Sequence, residues 1–238
     1  MFNRWSQYSY RTQKKNRYKF LRLFIGFLIL FIIYNCLTAF FFSVWVVNNS
    51  AMQPGLTEGD RIIFNSFNPP WAVNDDNPYK FSRGSIVLVD MRRENSRNIF
   101  LRILDGIVRF FTAQRISIFS HSGQIYIKRV IALPGDEISM HNYVFRVKPA
   151  GSSYALTEYE LSKEPYYPLV PQVSSLWDES LPFSGSMDTI VLGPDECFVI
   201  SDDRGNTNDS RSWGPVKPSL IKARAILRFW PLNKIGTF

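Results

Sequence analysis

The strongest constraint on this chain is a run of 25 residues without a charged side chain, from Leu23 to Val47. As a helix rising ~1.5 Å per residue, the run is about 37 Å long, which exceeds the ~30 Å hydrocarbon core of a bilayer. The apolar stretch of a cleavable leader is shorter, about 7–15 residues, and small residues follow it. This run ends in Trp45, Val46 and Val47. It therefore predicts a transmembrane anchor that stays in the protein.

The charge distribution predicts how the anchor is oriented. Seven of the net +8 charges lie in residues 1–22, which hold no acidic residue, so the other 216 residues carry only +1. By the positive-inside rule, the tail 1–22 stays in the cytoplasm and residues 48–238 lie across the membrane. A buried core helix is the alternative interpretation, and the charge asymmetry argues against it. A basic tail on a near-neutral body also argues against a nucleic-acid partner.

The composition excludes several classes of protein. Apolar residues make up 45% of the chain, which is too many for a disordered protein. Two cysteines and two histidines argue against a zinc site, and no metal or other cofactor is predicted. Cys36 falls inside the apolar run and Cys197 outside it, so we expect no disulfide between them.

The part of the chain after the anchor is predicted to be mainly β. Its segments rich in β-branched residues are separated by turn signals and do not alternate with helices, which favours an antiparallel, barrel-like domain. The predicted strands are Arg61–Phe64, Ser85–Val89, Gln124–Leu133, Tyr143–Val147, Thr189–Leu192, Cys197–Ile200 and Ala223–Phe229.

Two segments do not fit this strand pattern. Residues 149–188 are rich in Ser, Pro and Tyr and are predicted to form an insertion or small subdomain. Residues 98–111 have apolar side chains at helical spacing. This segment is either a helix in the membrane interface or a helix that covers one end of the barrel.

Four segments carry the residues that point to chemistry. In chain order they are VNNSAMQP from Val47, the pair Arg83-Gly84 before a strand, YIKRVIALPGD from Tyr126, and SDDRGNTNDSRSWG from Ser201. Behind an N-terminal anchor, this set resembles the type I signal peptidases. The resemblance implies a serine endopeptidase of the bacterial cytoplasmic membrane, with signal peptides of exported preproteins and membrane lipid as partners. It implies a Ser–Lys dyad without a cofactor.

The resemblance assigns the general base to Lys128. A lysine can take a proton only when it is neutral, and its unperturbed pKa is ~10.4. Burial beside apolar groups lowers that pKa, and Tyr126 and Val130 share the face of the predicted strand with Lys128. The resemblance also implies that Thr207 orients the amine and that Asp209, paired with Arg211, supports the site.

The nucleophile position departs from the family. Alignment on Met52 and Pro54, both predicted to contact substrate, places Ala51 where the family has its serine. The nearest hydroxyl belongs to Ser50, and adjacent side chains of an extended chain point opposite ways. Three interpretations remain open: Ser50 is a displaced nucleophile that a local kink brings to Lys128, the protein is a silent homologue that binds signal peptides or scaffolds the secretion machinery, or the alanine is an introduced change.

Two further positions bear on the chemistry. The resemblance implies an oxyanion hole made by the nucleophile's backbone amide and by a hydroxyl two residues earlier. That earlier residue is Asn49, whose side-chain amide can donate instead, or which serves simple turn chemistry. Ser201 stands where the family has a glycine, so its hydroxyl either crowds the site or bonds to Lys128.

Overall fold

The computed structural model describes residues 17–34, 42–65, 81–91, 104, 107–108, 125–171 and 185–238. The chain divides into two compact units. The first comprises Met1–Phe41 and Ser96–Phe119, and the second comprises Phe42–Asn95 and Ser120–Phe238.

The described part of the first unit contains a helix, α1, over residues 17–34. Its apolar side chains are largely exposed, with Phe20 at 74% and Leu23 at 75%. Among the residues described, we find no helix that combines the length and the apolar character needed to cross a membrane. The segment 98–111 lies outside the described residues except for three helical positions, 104, 107 and 108.

The second unit consists of antiparallel strands arranged in two sheets. The seven-stranded sheet has the order β1-β2-β10-β3-β4-β9, with β11 on β10, and the four-stranded sheet has the order β7-β6-β5-β8. The strands are β1 (Phe42–Val46), β2 (Arg61–Asn65), β3 (Ile86–Asp90), β4 (Ile125–Ala132), β5 (Glu137–His141), β6 (Val144–Lys148), β7 (Leu156–Thr157), β8 (Met187–Val191), β9 (Phe198–Ile200), β10 (Ile221–Trp230) and β11 (Gly236–Thr237).

Two short helices complete the described part of this unit, α2 (Glu158–Leu161) and α3 (Ser210–Trp213). The 3₁₀ turns are Pro218–Leu220 and Leu232–Lys234. The prediction of a mainly β, antiparallel domain is confirmed. Every predicted strand overlaps an observed one, whereas β1, β5, β7 and β11 were missed by the sequence patterns.

Strand β1 is the clearest correction to the predicted anchor. The sequence predicts a helix through Val47, but Phe42–Val46 pairs with β2 from Phe42 opposite Asn65 to Val46 opposite Arg61. The helical part of the apolar run therefore ends before Phe42. A continuous apolar run has no period that separates a buried strand from a helix, so the pattern alone did not reveal the boundary.

The loop between β1 and β2 carries the position aligned with the nucleophile, and its ends are tied together. The Val47 amide donates to the Asp60 carbonyl at 2.9 Å, and the Gly59 amide donates to the Val47 carbonyl at 2.8 Å. Met52 and Leu56 are fully buried in a core cluster with Ile62, Phe64, Ile86, Leu88, Ala223 and Ala225. These side chains anchor the loop to the sheet because their apolar surface is removed from water.

Candidate active site

Lys128 lies on β4, which has β3 on one side and β9, the last strand of the seven-stranded sheet, on the other. The pairing of β4 with β9 sets Arg129 opposite Ile200, so the residue after β9, Ser201, follows directly across from Lys128. Lys128 Nζ is 2.7 Å from Ser201 Oγ in a buried hydrogen bond. Within the described residues this hydroxyl is the hydrogen-bond partner of the amine.

The surroundings of Lys128 favour its neutral form. Its side chain is 2% exposed, and burial lowers the pKa of Lys128 to about 8. The carboxylate of Asp209 acts in the opposite direction, the guanidinium of Arg211 lowers the pKa further, and Asp202 and Asp203 raise it. At mildly alkaline pH, a large fraction of the amine is therefore neutral and able to accept a proton.

Two aromatic rings flank the amine. Lys128 Nζ lies 5.9 Å from the centre of the Tyr126 ring and 5.6 Å from that of Trp213. The two rings contact each other with their centres 4.8 Å apart. Tyr126 shares the strand face with Lys128, as the alternation of side chains predicts, whereas Trp213 is contributed by α3. The rings replace water around the amine with apolar surface, which is the condition for lowering a lysine pKa.

Asp209 and Arg211 form the supporting pair that the sequence predicts. Arg211 Nε and Nη2 donate to the Asp209 carboxylate at 3.0 and 2.7 Å. Asp209 also accepts from the Ser201 amide at 2.9 Å. Burial acts to raise the pKa of Asp209, but the hydrogen bonds from Arg211 and Ser201 hold it below its usual value. The carboxylate therefore remains charged and holds Ser201 through its backbone.

Thr207 does not make the contact that the resemblance assigns to it. Its carbonyl accepts from the Asp209 amide at 2.8 Å and from the Ser212 hydroxyl. Within the described part of the chain, the Thr207 side chain makes no hydrogen bond. The hydroxyl bonded to Lys128 is that of Ser201, so the structure selects the bonding alternative for Ser201 over crowding.

The β1–β2 loop turns position 51 inward and Ser50 outward. Ala51 is 3% exposed, and its carbonyl accepts from the Asp203 amide at 3.0 Å, two residues beyond Ser201. Ser50 is exposed, and its side chain makes no hydrogen bond within the described residues. Residues 49–55 form bends and turns, with the Gln53 amide donating to the Ser50 carbonyl at 2.9 Å, but this bend does not bond Ser50 to Lys128, whose partner is Ser201.

The other predicted residues of this loop have different surroundings. Asn49 Oδ1 accepts a hydrogen bond from the Ala51 amide at 3.2 Å, so the side chain acts as an acceptor in a local turn. Met52 is fully buried in the core, and Pro54 is exposed. Met52 thus anchors the loop to the hydrophobic core. Of the two predicted substrate contacts, only Pro54 faces outward.

Comparison of the sequence with known proteins identifies a family for the chain. A family model described as "Signal peptidase, peptidase S26" matches residues 20–230. The chain belongs to this family. The match covers most of helix α1, the loop with position 51, strand β4 with Lys128, and Ser201 directly after β9.

Individual signal peptidases resemble the chain at moderate identity. Signal peptidase I of Bacillus caldolyticus is 25% identical over 204 residues, which cover 84% of this chain and 86% of the relative. Probable signal peptidase I-1 of Synechocystis sp. is 34% identical over 116 residues, covering 48% of this chain and 47% of the relative. Signal peptidase I of Leptolyngbya laminosa is 33% identical over 113 residues, or 48% and 45%. The chain thus spans less than half the length of the last two relatives.

Two buried ion pairs that the sequence analysis did not assign lie beside Lys128 and Ser201. Arg129 donates to the Asp202 carboxylate at 2.7 and 2.6 Å, and Arg204 Nη2 donates to Glu158 at 2.5 Å. The signal in the sequence is position within the motif segments: Arg129 follows Lys128, Asp202 follows Ser201, and Arg204 lies three residues after Ser201. Glu158 lies on α2, within the predicted insertion. Its ion pair with Arg204 therefore joins the insertion to the segment that begins at Ser201.

Proposed function

We propose that this protein is a membrane-anchored signal peptidase of type I, which binds the signal peptides of exported preproteins at a site with Lys128 as general base. The observation that carries the proposal is the buried Lys128 amine, with its pKa lowered to about 8 and a single hydroxyl at 2.7 Å. A lysine in this state matches the requirement of Ser–Lys cleavage, in which the base takes the proton of the attacking hydroxyl.

The proposed cleavage needs a hydroxyl at position 51 as the nucleophile and Lys128 as the group that takes and returns the proton. A serine hydroxyl at position 51 would lose its proton to Lys128 as its oxygen attacks the scissile carbonyl. The ammonium of Lys128 would then return the proton to the leaving amine, and water would hydrolyse the ester in a second step. Ala51 has a methyl group at this position and supplies no proton or nucleophile, so the dyad lacks its hydroxyl half.

The membrane arrangement is part of the proposal. Residues 1–22 form the cytoplasmic tail, and the apolar run from Leu23 forms a single-pass anchor in the bacterial cytoplasmic membrane. The exposed apolar side chains of α1 support this, because such a surface is stable in lipid. The β domain, with its insertion near 149–188, faces the extracytoplasmic side, where preproteins emerge next to membrane lipid.

A second candidate function is binding of signal peptides without cleavage, as a silent homologue or a scaffold of the secretion machinery. The inward methyl group of Ala51 and the exposed Ser50 favour it. Displaced catalysis by Ser50 has no support from the geometry, since Lys128 bonds to Ser201 and the Ser50 side chain points away from the interior.

The two candidates are separated by cleavage and binding measured together. The full chain in detergent is incubated with a preprotein, and the affinity for the fluorescently labelled signal peptide is measured in parallel. Because Ala51 supplies no nucleophile, both candidates predict that the unmodified chain and Ser50→Ala bind without cutting. The first candidate predicts that Ala51→Ser binds and cuts, and the second predicts that it binds without cutting. Lys128→Met in the Ala51→Ser background should abolish cutting and leave binding.

Each contrary outcome has a clear meaning. Cleavage by the native chain that Ser50→Ala abolishes would establish Ser50 as a displaced nucleophile. An Ala51→Ser variant that binds but does not cut would leave only the second candidate function, binding of signal peptides without cleavage. Failure of both the native chain and Ala51→Ser to bind the signal peptide would overturn the proposed function.

A further inference from the structure

The hydrogen bond between Ser201 and Lys128 admits two roles for the hydroxyl. A serine oxygen 2.7 Å from a lysine amine is placed as a nucleophile would be, but it is also placed to hold the amine still. Ser201 is 0% exposed and its hydroxyl is already bonded to the amine, which favours the holding role over attack on a scissile carbonyl.

Ser201 is itself fixed from both sides of its backbone. Its amide donates to Asp209 Oδ2 at 2.9 Å, and its carbonyl accepts from Arg204 Nη1 at 2.9 Å. The carboxylate of Asp209 is held by Arg211, and the guanidinium of Arg204 by Glu158. The backbone of Ser201 is thus held in place, so its buried hydroxyl starts from a fixed point, which is the property that a positioning residue needs.

We propose that Ser201 is a positioning residue that holds the Lys128 amine in place whichever residue occupies position 51, a role that the family resemblance assigns to Thr207. The inference rests on the proposed function of Lys128 as general base. A neutral amine has two N–H groups and one lone pair. When one N–H donates to Ser201 Oγ, the lone pair remains free to accept a proton from a nucleophile.

The holding role is tested by titrating Lys128 directly, without reference to cleavage. The full chain is labelled with ¹³Cε-lysine in detergent micelles, and the Lys128 resonance is assigned by its loss in Lys128→Met. We expect a midpoint near 8 in the native chain. Ser201→Ala should lower the midpoint by about one pH unit, because the ammonium loses a hydrogen-bond acceptor that favours the charged form.

Two controls distinguish the hydroxyl from general effects of substitution. Thr207→Val should leave the Lys128 midpoint unchanged, as should Ser153→Ala at an exposed serine of the insertion. Ser201→Gly provides a second variant should Ser201→Ala fail to fold, since a glycine stands at this position in the resembled family. A midpoint that Ser201→Ala and Ser201→Gly leave unchanged, or that Thr207→Val moves as far, would overturn the inference.

Activity in the Ala51→Ser background supplies the second readout. Adding Ser201→Ala should lower kcat by about tenfold and leave KM unchanged, because the buried hydroxyl contacts the base and not the substrate. A rise in KM with unchanged kcat would contradict the positioning role. If Ala51→Ser does not cut but the midpoint still depends on Ser201, the proposed function fails and the inference about Ser201 stands.

Discussion

The backbone amide of Ala51 donates a hydrogen bond to Oδ1 of Asn49, 3.2 Å away. In the proposed mechanism, the amide of this position would stabilise the oxyanion. Here it is already engaged, so an oxyanion has to displace the Asn49 side chain. Because Asn49 is exposed, its bond is worth only about 0.5–1.5 kcal/mol, which weakens the oxyanion hole without abolishing it.

Freeing this amide should increase the rate of a chain that has a nucleophile. In the Ala51→Ser background, Asn49→Ser should raise kcat roughly fivefold, because about 1 kcal/mol of competition is removed and a hydroxyl donor is added. Steady-state cleavage of a preprotein measures the change. Asn48→Ser, at the exposed neighbouring position, is the matched control. Equal rates for the two double variants would show that Asn49 does not obstruct the hole.

The pH profile of cleavage should report Lys128. In the Ala51→Ser variant, kcat/KM should be low at pH 6, rise with a midpoint near 8 and level off above it, since only the neutral amine is a base. A lysine with its ordinary pKa would shift the rise to about pH 10. Initial cleavage rates measured from pH 6 to 10 distinguish a midpoint near 8 from one near 10. A flat profile across this range would count against a lysine base.

Lys128 should also make the stability of the protein depend on pH. Its folded pKa is lowered to about 8 from 10.5, so the unfolded chain binds more protons between these values and stability rises with pH across this window. At pH 7, Lys128→Met should raise the free energy of unfolding by about 3 kcal/mol, and the gain should shrink at pH 10. Urea unfolding in detergent measures both, with the exposed Lys217→Met as control. An equal gain at both pH values would refute the linkage.

Gly84, in the Arg83-Gly84 motif, is predicted to tolerate no side chain. Its φ is +83°, and an added Cβ would lie 2.8 Å from Ser162 Cβ. Gly84→Ala should therefore destabilise the protein by more than 2 kcal/mol, beyond the cost of the backbone conformation alone. Gly59→Ala is the matched control, since its φ is +88° with open space around the added atom. Thermal melting that shifts equally in both variants would exclude the clash.

The pair Arg204–Glu158 should contribute far more than an exposed pair of similar type. Both side chains are 0% exposed, so Glu158→Gln leaves a buried guanidinium without its counter-charge and should cost about 3–5 kcal/mol. Glu137→Gln, which breaks the half-exposed pair with Lys148, should change stability by less than about 1 kcal/mol. Urea unfolding of the two variants provides the comparison. Similar losses would show that burial does not set the strength of these pairs.

Sequence patterns located most of the β domain but not all of its strands. Segments such as Ile86–Asp90 and Ile125–Ala132 are rich in β-branched residues and end at turn signals, so their strand character is local. Phe42–Val46 continues an apolar run, and only its pairing with Arg61–Asn65 identifies it as a strand. Glu137–His141 contains a glutamate, a serine and a histidine, and its strand form depends on two neighbouring strands.

The sequence by itself determined the family resemblance and the absence of a hydroxyl at position 51, because these follow from residue identity and order. The resemblance in turn implied Lys128 as the candidate base and the Asp209–Arg211 pair. Only the tertiary structure decided that Ser201, rather than Thr207, bonds to Lys128, and that Ser50 faces outward while Ala51 is buried. The register between β4 and β9 and the path of the β1–β2 loop set these contacts. Both depend on packing between segments far apart in the chain, which no local pattern encodes.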